Sequence, residues 1–327
     1  MDSVQLNALP AEAYYEALVR DVERAQKRII INAMIVHWGK RLNKLLAALE
    51  AALERSVDVQ LVGDIYTKYE AKTSRIAGRG LDLTWTQSQT INQRLQAKGA
   101  HVVYFGKLGL NPFRGRCHTK ITIVDDAFYT FGGVNFSVSH IGYADLMLRG
   151  QDRAMADYLA TLVGKIEKGV VLPDLIEPFG PHTLLFDGGT PHKSVIYETA
   201  LADVRAAQKV YFVSKMCPTG DLAKALNATD STCYFNRPEL EGPPENLAIM
   251  VDQHRYHIRN HYTGAGHIHA KFLLCERADG TRSLITGSNN FSWRGIAFGT
   301  KEIAVRSADA QLYQQLYDFL QTHIVGA

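Results

Sequence analysis

Apolar residues recur with a helical period over residues 11–27. They do so again over about 40–54, where Leu45, Leu46, Leu49, Ala52 and Leu53 share a face. Just after each stretch the pattern changes to one that suits strands, at residues 28–34 and 58–64. A polar, glycine-containing stretch around 66–80 leads to a predicted helix near 87–98, a strand at 101–105 and a loop at 106–116. Two further strands flank Asp125-Asp126, and a helix is expected near 151–167. Helices that alternate with strands, none of them long, predict an α/β architecture with layered sheets.

The pattern is duplicated. Asp21-Val22-Glu23-Arg24-Ala25-Gln26-Lys27 returns as Asp203-Val204-Arg205-Ala206-Ala207-Gln208-Lys209, with five identities in seven positions. Each copy ends a helical stretch and runs directly into a β-rich one, 28–34 and 210–216. Self-similarity at so long a period indicates duplication of a whole αβ unit rather than a solenoid of short repeats. The second copy has an abbreviated middle. The expected halves are 1–177 and 178–327, with the Gly- and Pro-rich stretch 178–191 as the linker.

A second shared pattern carries the candidate chemistry. The first half has His118-x-Lys120 and Asp125, then Gly132-Gly133-Val134-Asn135. The second has His269-x-Lys271 and Glu276, then Gly287-Ser288-Asn289-Asn290. Polar residues here interrupt otherwise apolar strands. On a strand, residues two apart share a face, so each His stands beside a Lys. An imidazole next to a fixed positive charge suits a phosphate: the ring attacks or donates a proton, while ammonium and Asn amide hold the oxygens. The four extra residues in the second copy contain Asp279-Gly280, a hairpin signal that lengthens the turn between the two motif strands.

HxKxxxxD followed by Gly-x-x-Asn, present twice, resembles the signature of the phospholipase D superfamily, the HKD phosphodiesterases. The second copy departs from it by Glu276 for Asp and by its longer turn. The resemblance implies an α/β fold of two αβα-layered halves, mixed sheets flanked by helices, related by pseudo-twofold symmetry. One active site would lie at the seam, with no oligomer needed to complete it. It further implies metal- and cofactor-free catalysis through a phosphohistidine, with His118 as nucleophile and His269 as acid, then base. Lys120, Lys271, Asn135 and Asn290 would hold the phosphate oxygens. In the family a carboxylate downstream of each Gly-x-x-Asn segment orients each His, and Asp145 and Glu302 occupy that place. Gly133, Ser288 and His267 are expected around the substrate, together with Asp125 and Glu276 as lesser residues near strand ends.

Composition narrows the reading only slightly. Of 327 residues 46% are hydrophobic and 21% charged, as in globular proteins. The formal net charge of +3 gives little weight to nucleic acid or membrane. The four cysteines lack metal-ligand spacing and read as free thiols, a Cys217–Cys233 bridge remaining open. The apolar runs are strand-sized, and the first residues lack the pattern of a secretory signal. A cytoplasmic protein, with at most a peripheral membrane contact, is therefore the expectation. His254, His257 and His261 would share one face if their segment is helical, as a metal site, a substrate loop with Arg255 and Arg259, or a solvated face. Trp38 and Trp293 read as core aromatics. Lys68, Lys72, Arg75 and Arg79, with Arg114 and Arg116, form a basic surface or an anion-attracting one. Glycine-Gly and Gly-Ser motifs without membrane helices look like the cardiolipin-synthase-like members. The favoured substrate is a phospholipid; a nuclease and an inactive binding scaffold are the alternatives, and Leu108 and Leu110 in 105–113 are candidates for touching a lipid surface.

Overall fold

The computed structural model describes residues 4–76, 83–137 and 140–326, with backbone only for 72–76 and Pro244. The first half runs β1 (Asn7–Pro10), α1 (Ala11–Arg24), β2 (Arg28–Ala33), α2 (Asn43–Glu54), β3 (Asp58–Asp64), α3 (Tyr66–Ile76) and α4 (Trp85–Ala97). It continues through β4 (His101–Phe105), β5 (Ile121–Val124), β6 (Ala127–Thr130), β7 (Leu146–Gln151) and α5 (Arg153–Ile166). The second half runs β8 (Leu175–Phe179), β9 (His182–Gly188), α6 (Val195–Ala206), β10 (Lys209–Ser214), α7 (Gly220–Ala228) and β11 (Asp230–Phe235). Then follow α8 (Pro243–Tyr256), β12 (Phe272–Glu276), β13 (Arg282–Gly287), α9 (Trp293–Ala297), β14 (Lys301–Ser307) and α10 (Ala310–Leu320).

Two mixed seven-stranded sheets result, ordered β1-β7-β6-β5-β2-β3-β4 and β11-β10-β12-β13-β14-β9-β8. Strand for strand, β1, β2, β3, β5, β6 and β7 correspond to β9, β10, β11, β12, β13 and β14. The leftover strands, β4 and β8, close opposite ends of this common order. The repeated heptad has the same work in each copy. Arg149 of β7 donates to Asp21 at 3.0 Å, and Arg306 of β14 donates to Asp203 at 2.8 Å.

Strand periodicity sorts the side chains between two cores. Ile29 and Ile31 of β2 face an outer cluster with Leu18, Val22, Leu45 and Leu49, whereas Ile30 faces a central one. Both faces are covered, which is why β2 reads as an unbroken apolar run. The second half repeats this, with Val210 and Phe212 outward and Val213 central. The central cluster is common to both halves: Ile121, Ile123, Phe128 and Leu159 meet Phe272, Leu274, Leu284 and Leu316 there. The inner faces of the two sheets, with α5 and α10, thus form one continuous core.

Several expectations need correction. Residues 178–191 are not a linker: most of them belong to the β8–β9 hairpin, turned at Gly180 with φ 56°. Pro178 is tolerated because β8 is an edge strand. β8 also crosses the expected 177/178 boundary. The polar stretch around 66–80 contains α3, whose buried face carries Tyr66, Thr67 and Ala71 rather than a stripe of aliphatic residues. Thr67 bonds the Met34 carbonyl at 3.0 Å. The HxK segments lie just before β5 and β12, where the chain enters the sheets, rather than inside strands. Trp38 is buried, its indole N–H donating to Asn92 at 2.7 Å, but Trp293 is 44% exposed. All four cysteines are free and buried. No helix among the described residues is long and apolar enough to cross a membrane.

Gly132 and Gly287 hold equivalent positions after β6 and at the end of β13. A Cβ on Gly132 would stand 2.0 Å from the Leu146 carbonyl oxygen, and one on Gly287 2.4 Å from that of Ile303. These obstacles are backbone and cannot swing aside. Either Gly→Ala substitution is expected to lower stability by about 1–3 kcal/mol, as overpacking does. Urea midpoints equal to that of the parent protein would contradict this close packing.

Candidate active site

Each motif histidine is stitched to the other half by backbone. Lys301 donates to the Arg116 carbonyl at 2.8 Å, and His118 N–H donates to the Lys301 carbonyl at 2.8 Å. The mirror contact joins Ala144 N–H to the His267 carbonyl and His269 N–H to the Ala144 carbonyl, both at 2.9 Å. The residue after Lys301 is Glu302, and the residue after Ala144 is Asp145. Registering the backbones therefore aims each carboxylate at the histidine of the opposite half. His118 Nδ1 lies 3.1 and 3.0 Å from the two Glu302 oxygens, and His269 Nδ1 lies 2.7 Å from Asp145 Oδ2. A carboxylate at Nδ1 fixes the tautomer and leaves Nε2 to face a reactant.

The two lysines are buried beside their histidines. Lys120 Nζ donates to the His118 carbonyl at 2.6 Å, and Lys271 Nζ donates to that of His269. Burial pushes Lys120 down to about 7 and Lys271 to about 8. Burial also lowers His118 below its ordinary value, although Glu302 pulls it back up. His269 falls well below, through burial and then the charges of Lys271, Lys120 and Lys215. The carboxylates diverge: burial raises Asp145, whereas in Glu302 burial is outweighed by His118 and Lys120, leaving it lowered. His269 responds to Lys120, and His118 to Lys271, so the two halves share one electrostatic site.

The remaining expected residues separate into two groups. Asn135 is buried, its Oδ1 accepting from Ile35 N–H at 3.3 Å, and Asn290 has a buried Oδ1 with no protein partner. Gly133 lies against the carboxylate: a Cβ there would be 2.6 Å from Asp145 Oδ1. Its counterpart Ser288 donates to Glu302, so both positions serve the carboxylates rather than standing free for a substrate. His267 is 28% exposed and packs on Tyr143 at 4.9 Å between ring centroids. Asp125 and Glu276, expected near the substrate, are at the far ends of β5 and β12. Asp125 accepts the backbone N–H groups of Gln26, Lys27 and Arg28 at 2.9, 2.8 and 3.1 Å. Glu276 accepts from Tyr313 at 3.1 Å. They anchor the repeated heptad and α10, and the expected substrate contact is withdrawn.

Four residues around His269 escaped the sequence reading. His140 stacks edge-on against it at 5.0 Å, Tyr143 lies at 6.0 Å, and Lys215 pairs with buried Glu241 at 3.4 Å. Burial works against it, but His267, Lys215 and Asn236 hold Glu241 at about 2. The signal for Lys215 was a charge inside the apolar run 210–216, where the strand register of the first half has Met34. His254 and His257 do not share a helix face, since α8 ends at Tyr256 and His257 is left-handed at φ 54°. No group of three or more metal-binding side chains occurs among the described residues. Arg116 is buried against Asp64 at 2.8 Å and is not part of a basic surface. The side chains of Lys72, Arg75 and Arg79 lie outside the described residues.

Two facing halves, each supplying a His-Lys pair and the carboxylate for the other's His, build one composite site on a phospholipase D-like fold. Residues 18–162 match the family model described as cardiolipin synthase, PLD-like domain. Cardiolipin synthase B of Escherichia coli K12 is 27% identical over 166 residues, 49% of this chain but only 35% of that protein. The Salmonella typhi protein of the same name is 27% identical over 136 residues, 40% of this chain and 29% of its own. The chain thus matches about a third of the length of these relatives. Among solved structures, phosphatidylserine synthase of Haemophilus influenzae Rd KW20 is similar at a TM-score of 0.74, with 12% identity, over 98% of this chain and 87% of that one. Polyphosphate kinase of Porphyromonas gingivalis reaches 0.62 with 13% identity, over 98% of this chain and 46% of its own. At such identities the likeness is one of fold.

Because Lys215 adds positive charge near His269, Lys215→Met is expected to raise the His269 pKa. Imidazole nitrogen NMR across a pH titration reads this directly. An unchanged His269 titration would contradict the placement of Lys215.

Proposed function

We propose that this chain is a metal-independent phosphodiesterase or phosphatidyltransferase acting on phospholipids through a phosphohistidine. The observation that carries the reading is the crossed arrangement: two histidines, each backed at Nδ1 by the opposite half's carboxylate, beside two buried lysines. The PLD-like family match, the cardiolipin synthase relatives and the fold shared with a phosphatidylserine synthase support the lipid class.

His118 Nε2 attacks phosphorus, and the bond to the leaving oxygen breaks as His269 gives that oxygen a proton. Water or an alcohol then loses its proton to His269, attacks phosphorus and breaks the P–N bond, which frees His118. The environments suit these roles. His118 is backed by Glu302, held in its ionised form, which strengthens Nε2 as a nucleophile. His269, surrounded by Lys271, Lys120 and Lys215, releases a proton readily once the anionic substrate has helped to load it. Lys120, Lys271 and the Nδ2 groups of Asn135 and Asn290 donate to the phosphate oxygens.

The charges set the pH profile. The nucleophile must be neutral, and burial keeps His118 below 6.5, so kcat/KM is lost on the acid side of that value. The lysines must be charged, and with values of about 7 and about 8 they lose their protons as pH rises through that range. A bell-shaped profile is expected, and Lys120→Arg should move its alkaline limb upward because a guanidinium stays charged. An alkaline limb unmoved in both Lys120→Arg and Lys271→Arg would contradict this.

The substrate class is tested in EDTA, with phosphatidylglycerol or phosphatidylcholine vesicles plus ethanol, and separately with labelled single- and double-stranded oligonucleotides. Phosphatidylethanol is the expected product, reduced by about 100- to 10,000-fold in His118→Ala. Oligonucleotide cleavage without lipid turnover would replace the lipid reading with a nuclease.

A further inference from the structure

The loop between β4 and β5 presents an apolar tip to solvent. Leu110 at its tip is 109% exposed, and Leu108 and Phe113 are 39% and 44% exposed. Isolated exposed leucines are ordinary, but three large apolar residues within six positions are not. Lys107 and Arg114 flank them and are exposed, and residues 106–116 contain no Asp or Glu. The loop therefore combines an apolar tip with a purely cationic collar.

It is also held firmly. Behind the tip, Arg116 is 4% exposed and acts as a post: its guanidinium donates to Asp64 at 2.8 Å and to the Lys107 carbonyl at 2.8 Å. Its Nε donates to the Arg114 carbonyl at 3.1 Å, so Arg116 closes both ends of the loop. Gly115 N–H donates across the seam to Phe298 at 2.9 Å, and Phe113 packs against Tyr66 and Tyr69 at 5.9 and 6.1 Å. The next residue after Cys117 is His118. A tip fixed in this way presents its leucines outward at little conformational cost, and whatever it touches is fixed relative to the catalytic histidine.

We propose that the 106–116 loop docks the protein on a bilayer surface carrying anionic phospholipid, with Leu108, Leu110 and Phe113 entering the headgroup boundary and Lys107 and Arg114 lying against the phosphates. Charge complementarity selects this occupant: an apolar tip alone would suit a protein groove, but a cationic collar without a single carboxylate suits an anionic sheet. The inference rests on the phospholipid reading for its purpose, though not for its test. Docking would bring the seam to the lipid surface while the chemistry stays in the buried site.

The experiment uses sedimentation with vesicles of phosphatidylglycerol and phosphatidylcholine, and with phosphatidylcholine alone. Turnover of a soluble diester, bis(p-nitrophenyl) phosphate, is followed in parallel. The parent protein is expected to favour the anionic vesicles, less so in high salt. Leu108→Ser with Leu110→Ser should weaken that binding by about tenfold or more and leave soluble-diester turnover unchanged. Lys107→Gln with Arg114→Gln should remove the preference for anionic vesicles. In Leu110→Trp, the emission should shift to the blue when anionic vesicles are added. Parent-like vesicle binding by the Leu108/Leu110 variant, or an unshifted Leu110→Trp emission, overturns the docking surface. Vesicle binding that follows the loop variants supports it even if no diester is turned over, an outcome that would remove the enzymatic reading alone.

Discussion

Two hydrogen bonds from imidazole Nδ1 to carboxylate, each crossing between halves, are the constraint on which this molecule turns. His118 takes its carboxylate from β14 and His269 takes its own from the residue before β7. The backbone contacts at Lys301 and Ala144 set the register so that these pairs can form. Neither half holds an oriented histidine by itself. The large central core, common to both sheets, is what keeps the two halves from sliding out of that register. Breaking a buried charged contact by removing one partner costs about 3–5 kcal/mol, so site and seam stabilise or fail together.

Symmetry ends where the charges begin. Gly133 leaves no room between the backbone and Asp145, while Ser288 in the same place donates to Glu302. Lys215 stands where the strand register of the first half has Met34 and pairs with Glu241, whereas the buried pair beside His118 is Asp64 with Arg116. Burial raises Asp145, whereas in Glu302 burial is outweighed by His118, Lys120 and the Ser288 hydroxyl, although both are buried carboxylates facing histidines. Two copies of one unit have become two different environments. That difference is what a reaction with a nucleophile and a separate proton donor requires.

Much of this was legible before any coordinates. The duplication showed in the heptads, and the HxK segments stood out because charge and imidazole interrupted apolar runs. Asp145 and Glu302 were named through the family resemblance, by their place downstream of each Gly-x-x-Asn segment. Their crossing was not, because it depends on how two sheets face each other and no local pattern encodes that. α3 was hidden for a different reason: its buried side contains Thr67, satisfied by hydrogen bonds, where a sequence reader looks for Leu or Ile. The β8–β9 hairpin was mistaken for a linker because Pro and Gly mark edge strands and tight turns as well as loose chain. Asp125 belonged to the motif by spacing alone; its three backbone hydrogen bonds show a structural post at the far strand end.

The crossed pairing can be observed without turnover. Downfield proton NMR, with nitrogen-labelled histidine, resolves imidazole Nδ1–H groups that are hydrogen-bonded to carboxylates. Glu302→Gln should shift or remove the His118 resonance and leave that of His269 in place, while Asp145→Asn should do the reverse. If each substitution instead perturbed the histidine of its own half, the crossed pairs, and the shared site built on them, would be contradicted.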